Sequence, residues 1–216
     1  LDDAQSPKVP AHELVYRRLR EMILCGELEP GQAVTIQGLV QELDAGMTPV
    51  REAIRRLTAE NALEFLGNRR VCVPVLRADD VEELAFARLA LEPQLAIWAA
   101  EKIKPEAILE LEAVDQEVNR AIDRGDVRSY LIQNYRFHAT LYAASEARTT
   151  VALADTLWLR MGPSLRVMGG RFGTATLDDK HADAIAALRR KDATGVGAAI
   201  YADIAQGFDQ IRSSMS

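Results

Sequence analysis

The feature that most limits what this chain can fold into is a change of texture near residue 79. From Asp79 onward run long amphipathic segments rich in alanine and leucine, with few turn signals and no strand-like alternation. Such segments bury their apolar stripes by packing helix against helix. This half is therefore read as all-helical, with helices at about 79–103, 105–123, 126–145, 148–167, 177–190 and 192–213. Asp79 and Asp126 suit N-caps, Pro105 and Gly125 punctuate, and Arg171-Phe-Gly-Thr-Ala-Thr176 reads as a loop.

Ahead of that boundary the elements are short and mixed. From Ala11, Val15, Leu19, Met22 and Ile23 share one helical face and Gly26 stops the helix. After the Glu29-Pro30-Gly31-Gln32 turn, a short helix following Thr35 turns Leu39, Val40 and Leu43 inward, and Asp44-Ala45-Gly46 breaks it. Thr48 is placed as the N-cap of a third helix with Pro49 at its first position, and Val50, Ala53, Ile54 and Leu57 form its apolar stripe. Two alternating runs then flank Gly67-Asn68-Arg69-Arg70, the pattern of a β-hairpin with a basic tip. The expected fold class is mainly α, an N-terminal winged helix-turn-helix followed by a C-terminal all-α antiparallel helical bundle. The division is 1–10 as a disordered tail without function, 11–77 as the DNA-binding domain and 78–216 as the effector-binding and dimerisation domain.

A net charge of −6 seems at first to speak against a nucleic-acid partner. The charge is unevenly spread. Residues 1–77 hold ten basic and eleven acidic groups, the remainder sixteen and twenty-one, so most of the deficit is C-terminal. Within 45–77 six arginines face three glutamates. Phosphate contacts act within a Debye length of about 8 Å, so this local surplus matters more than the sum. Two cysteines, Cys25 and Cys72, are too few for a disulfide framework, and no run approaches the roughly 18 apolar residues of a membrane helix. A reduced cytoplasm is the expected compartment.

With the apolar stripe of the third helix turned inward, Thr48, Arg51 and Arg55 fall on the opposite side, where they can meet base edges or phosphates. Arg69 and Arg70 at the hairpin tip suit a minor groove or its flanking phosphates. The same arginines would also serve simply to solvate an amphipathic helix.

The runs Val15-Tyr-Arg-Arg-Leu-Arg-Glu-Met-Ile23, Gly26-Glu-Leu-Glu-Pro-Gly31 and Thr48-Pro-Val-Arg-Glu-Ala-Ile-Arg-Arg-Leu57 resemble the N-terminal domain of GntR-type bacterial transcription regulators. Gln37 and Met47 stand where that family usually carries arginines that read or clamp DNA, and Asn61 stands where a glycine commonly ends the recognition helix. The resemblance implies an operator unlike the commonest one, with Arg51 as the principal contact.

The helical half resembles the FCD effector domain of the FadR branch of that family. The resemblance rests on Arg88 to Ala100, on Asn134-Tyr-Arg-Phe-His138, and on His181 to Asp192. It implies a divalent transition metal, Zn, Ni or Mn, held by Asn134, His138, His181 and Asp203, the first two at i and i+4 on one helix face. It also implies that Arg88 faces the same cavity and pairs with an effector carboxylate, with Tyr135 and Arg166, and beside them Tyr142, Trp158 and Arg160, near the ligand. Spacing equally allows a metal-free reading, with His138 a core histidine, and an ion pair from Arg88 to Glu92.

The function implied is a homodimeric, effector-responsive repressor that binds a pseudo-palindromic operator and senses a small organic acid, without enzymatic activity. The same residues also allow two alternatives, a metal-dependent small-molecule enzyme and a ligand-binding protein that has lost DNA specificity.

Overall fold

A computed structural model of the chain describes residues 9–172 and 178–215, without the side chains of 165–172 and 214. The N-terminal tail through residue 8 and the stretch 173–177, most of the expected loop, lie outside the described residues. The chain divides into two compact units, the first comprising residues 9–23 and Glu27–Val75, the second Leu24–Gly26 and residues 76–215.

The first unit opens with α1 (Ala11–Leu24), which buries Val15, Leu19, Met22 and Ile23 as its periodicity predicts. Gly26, at φ 63°, takes the left-handed turn that ends it. The strand β1 (Val34–Thr35) leads directly into α2 (Ile36–Glu42), where the Thr35 hydroxyl accepts the Gly38 N–H at 2.9 Å. The third helix, α3 (Met47–Ala59), buries Val50, Ala53, Ile54 and Leu57. It begins earlier than expected. Gly46 holds the extended cap conformation (φ −69°, ψ 154°), so Thr48 lies inside the first turn and does not cap it. Asn61 follows at φ 56°, taking the left-handed position that ends the helix.

The strands β2 (Glu64–Gly67) and β3 (Arg70–Cys72) form the hairpin. Sequence reading missed β1, too short to show alternation; it pairs antiparallel with β3, Val34 opposite Val71, giving the sheet order β1-β3-β2. Its pairing moves Arg70 off the tip and into β3, opposite Thr35, so that Asn68 and Arg69 form the tip, both at positive φ.

The second unit is helical throughout its described residues: α4 (Ala78–Ala100), α5 (Pro105–Asp123), α6 (Val127–Ala143), α7 (Arg148–Phe172), α8 (Lys180–Arg189) and α9 (Ala193–Met215). Asp126 caps α6 as expected, accepting the Ser129 N–H at 3.0 Å. Asp79 does not cap α4; that helix starts one residue earlier, and Asp80 accepts the Arg77 N–H at 2.9 Å. Arg171 and Phe172, expected in a loop, continue α7.

The long helices α4 and α9 pack on each other, α5 pairs with α6, and α8 lies on α5 and α9. Leu84, Leu95, Phe137, Leu141, Ile200 and Phe208 form the fully enclosed centre. The α4–α9 approach depends on Gly197, where a Cβ would sit 2.7 Å from Ile97 Cγ1 and 3.2 Å from the Pro93 carbonyl oxygen. Gly197→Leu is expected to destabilise this unit by about 1–3 kcal/mol through overpacking. A denaturant midpoint followed by tryptophan fluorescence checks this, and an unshifted midpoint would show that the contact yields freely.

Candidate functional site

The DNA-facing candidates occupy one surface class within the first unit. Thr48, Arg51 and Arg55 are exposed on the side of α3 away from its buried stripe, and Gln37 on α2 is exposed too, with Met47 half-buried. Arg55 lies 3.7 Å from Glu52, an exposed pair that holds it weakly. Arg51, Arg69 and Arg70 are exposed and form no ion pair among the described residues. Arg56 behaves differently. Its guanidinium stacks over Tyr16 at 3.5 Å and pairs with Glu13 and Glu60, binding α3 to α1. Folding thus separates a structural arginine from three with their charge available to a polyanion.

In the second unit, His138 from α6, His181 from α8 and Asp203 from α9 converge, with one potential ligand atom from each lying within 4.8 Å of the others. His138 Nε2 is 3.1 Å from Asp203 Oδ2 and 3.4 Å from His181 Nε2, and His181 Nε2 is 3.9 Å from Asp203 Oδ1. Phe137 stacks flat on the His181 ring, at 3.8 Å between centroids. Beside the cluster is a cavity of about 70 Å³, lined by Asn134, His181 and Asp203 together with Asp115, Tyr130, Lys180 and Gln206 among others. All four residues proposed as metal ligands are therefore at this cluster or on its cavity wall.

The other ring nitrogens are taken. His181 Nδ1 meets Asp115 Oδ1 at 3.1 Å, and Asn119 donates to the second Asp115 oxygen at 3.4 Å. His138 Nδ1 is 2.9 Å from the Tyr142 hydroxyl, which donates to Glu92 Oε2 at 2.7 Å. Glu92, fully buried, also accepts from Trp158 Nε1 at 3.0 Å and from Arg88 through two N–H groups.

A carboxylate only accepts, so the Asp115 contact places a proton on His181 Nδ1 and turns Nε2 toward the cluster. His138 Nε2, His181 Nε2 and the Asp203 carboxylate thus converge. The residues present fit a divalent metal: N and O donors, with carboxylates or hydroxyls behind the rings.

Burial presses His138 below its ordinary pKa against the opposing pull of Asp203. At His181 burial acts the same way, but the Asp115 hydrogen bond and the charges of Asp203 and Asp115 outweigh it, and the pKa is raised. Asp203, which burial would raise, is held at about 2 by its contact with His138 and the charge of His181.

Arg88 and Tyr135, expected beside an effector, are engaged elsewhere. Arg88 is 1% exposed, is not on the cavity wall, and gives its N–H groups to Glu92 and to Met161 Sδ, with its guanidinium 4.0 Å above the Trp158 ring. A guanidinium so enclosed needs a fixed counter-charge, and Glu92 one turn along supplies it. The Tyr135 hydroxyl donates to Asp155. The Arg166 side chain lies outside the described residues.

Asp115 was not anticipated from the sequence. Its signal was an acid inside the buried stripe of α5, among Leu111, Val114 and Val118.

A winged helix-turn-helix with an exposed arginine face, joined in one chain to a helical unit with a buried His–Asp cluster, defines a ligand-responsive DNA-binding regulator. Comparison with known families agrees: the FCD domain matches residues 83–206, more than half the chain, and the bacterial regulatory proteins of the gntR family match residues 11–73. The chain belongs to the GntR family of bacterial transcription regulators, in the group that carries an FCD domain.

Among its relatives, the HTH-type transcriptional regulator McbR of Escherichia coli (strain K12) is 28% identical over 84% of this chain and 83% of its own length. The HTH-type transcriptional repressor RspR of the same organism is 23% identical over 98% of this chain and 94% of its own. The solved structure of E. coli McbR/YncC superposes with a TM-score of 0.90 at 25% identity, covering 97% of this chain and 100% of that one. A putative GntR regulator from Rhodococcus sp. RHA1 reaches 0.77 at 20% identity over 94% and 97%, a likeness of fold alone. Among the described residues no helix is long and apolar enough to cross a membrane.

Proposed function

We propose that this regulator is a cytoplasmic homodimeric repressor whose helical domain, residues 78–216, binds a divalent transition metal and, on it, a small carboxylate effector. The winged domain, 11–77, reads a short pseudo-palindrome, as two-fold symmetry of a dimer requires. The observation that carries the reading is the set of three converging potential ligands, two imidazoles and Asp203, beside a cavity with room for a few heavy atoms.

Asn134, His138, His181 and Asp203 hold the metal, and their mixed N and O atoms suit zinc, nickel or manganese. The cavity wall also carries Asp115, Asp178 and Asp179 against Lys180, so without a cation it repels anions. The metal supplies the positive charge that an effector carboxylate binds. Arg88 reaches such a ligand only by giving up Glu92. Effector binding then shifts the two readers relative to each other, with a coupling typically of about 1–3 kcal/mol. The repressor assignment draws support from RspR, whose name describes a repressor.

On the DNA side, Thr48, Arg51 and Arg55 enter the major groove, Arg69 and Arg70 meet the flanking backbone or minor groove, and Gln37 and Met47 border the contact. Arg51→Ala is expected to weaken binding at least about tenfold, the cost of a good base contact. An operator selected from a random DNA pool with the intact protein, then titrated in gel shifts, tests this. Selection of no common motif, or an affinity unchanged in the variant, would remove the recognition-helix assignment.

A further inference from the structure

Behind His138 lies a chain of groups that are not themselves among the candidate metal ligands. It runs from Arg88 through Glu92 and Tyr142 to His138 Nδ1, every member at most 3% exposed. It draws on three helices, α4 for Arg88 and Glu92, α6 for Tyr142 and His138, and α7 for Trp158, which donates to the same Glu92 oxygen as Tyr142.

We infer that Tyr142 and Glu92 are positioning residues that hold His138 as its Nδ1–H tautomer, so that its Nε2 lone pair is presented to the cluster with His181 and Asp203. The inference rests on the reading of that cluster as a cation site.

A neutral tyrosine has a single O–H, and the 2.7 Å contact to Glu92 claims it, because a carboxylate can only accept. The phenol oxygen is then left as an acceptor, and the imidazole nitrogen 2.9 Å away must be the donor. A neutral ring protonated at Nδ1 carries no proton at Nε2. Glu92 cannot turn away to release the tyrosine, since Arg88 grips both of its oxygens and Trp158 donates to one of them.

The competing tautomer would place a proton on Nε2, where Asp203 at 3.1 Å would accept it. Left alone, His138 would take that state and close the site with an internal hydrogen bond. The relay works against it. Asp115 likewise holds a proton on His181 Nδ1 in one step.

The test uses intact, uniformly ¹⁵N-labelled protein stripped of metal, at neutral pH. Long-range ¹H–¹⁵N correlations of the imidazoles report which nitrogen carries the proton, and His138→Gln and His181→Gln assign the signals against the exposed His12. His138 is expected as Nδ1–H. Tyr142→Phe, which keeps the ring and loses only the acceptor, should move His138 to Nε2–H and weaken zinc binding, measured against a chromophoric chelator, about 10–100-fold. An Nε2–H signal for His138 in the unmutated protein overturns the relay whatever zinc does, and needs no variant to fold. A Tyr142→Phe protein with unchanged tautomer and zinc affinity overturns it as well. If the unmutated protein shows Nδ1–H yet binds no zinc, nickel or manganese, the cation-site reading falls and the relay's assigned purpose with it.

Discussion

Protein prepared without chelator in metal-replete medium is expected to carry near-stoichiometric divalent transition metal, and the His138→Ala plus His181→Ala double variant essentially none. The expectation follows from the two imidazoles and one carboxylate that converge in the helical unit. Removing both imidazoles leaves Asp203 and the weak neutral ligand Asn134, which together hold no transition metal firmly. Elemental analysis gives the first readout. A second is thermal: metal at 100 times its dissociation constant stabilises the folded state by about 2.7 kcal/mol, so zinc should raise the unfolding temperature of the natural sequence and not of the variant. Metal-free protein from replete medium, with no thermal response to zinc, nickel or manganese, would rule out the site as drawn.

Glu92→Ala is expected to cost the helical unit about 3–5 kcal/mol, the penalty for leaving a buried guanidinium without its counter-charge. Arg88 is 1% exposed, and Tyr142 and Trp158 would each lose an acceptor. Both tryptophans, Trp98 and Trp158, belong to this unit, so fluorescence during denaturant unfolding reports on it and not on the winged unit. The control is Arg88→Met with Glu92→Leu, which removes both charges and should cost much less, since pairs replaced by apolar groups are often near neutral. Equal losses in the single and the double variant would show that packing volume, and not an orphaned charge, sets the cost.

The winged unit was largely legible in advance because its signals are local. Val50, Ala53, Ile54 and Leu57 are spaced so that one side of α3 must be buried, and Thr35 and Gly26 mark ends that depend on the nearest few residues. The errors there came from pairing over longer range. β1 is two residues long and exists only because β3 lies beside it, and that pairing moved Arg70 from the hairpin tip into a strand. Thr48 lost its cap position to Gly46 because an extended backbone conformation, and not the better capping side chain, fixed where the helix begins.

In the helical unit, family resemblance indicated which residues to compare, and the i, i+4 spacing placed Asn134 and His138 on one face of α6. Sequence spacing also allowed both fates for Arg88, an effector contact or the ion pair to Glu92. Only burial separates them: an arginine closed in by Trp158, Met161 and Phe208 keeps the partner one turn away.

By itself the sequence determined the order of the helices in the winged unit, the basic face of one short helix and the helical build of the described residues after Asp79, because periodicity, caps and charge act within a few residues. The tertiary structure alone decided which polar groups meet. His138 and Asp203 are 3.1 Å apart, His181 and Asp115 are 66 positions apart in the chain, and Glu92 gathers donors from three helices. Such meetings are fixed by how helices pack, and a buried polar group takes its protonation and its role from the partner that packing gives it.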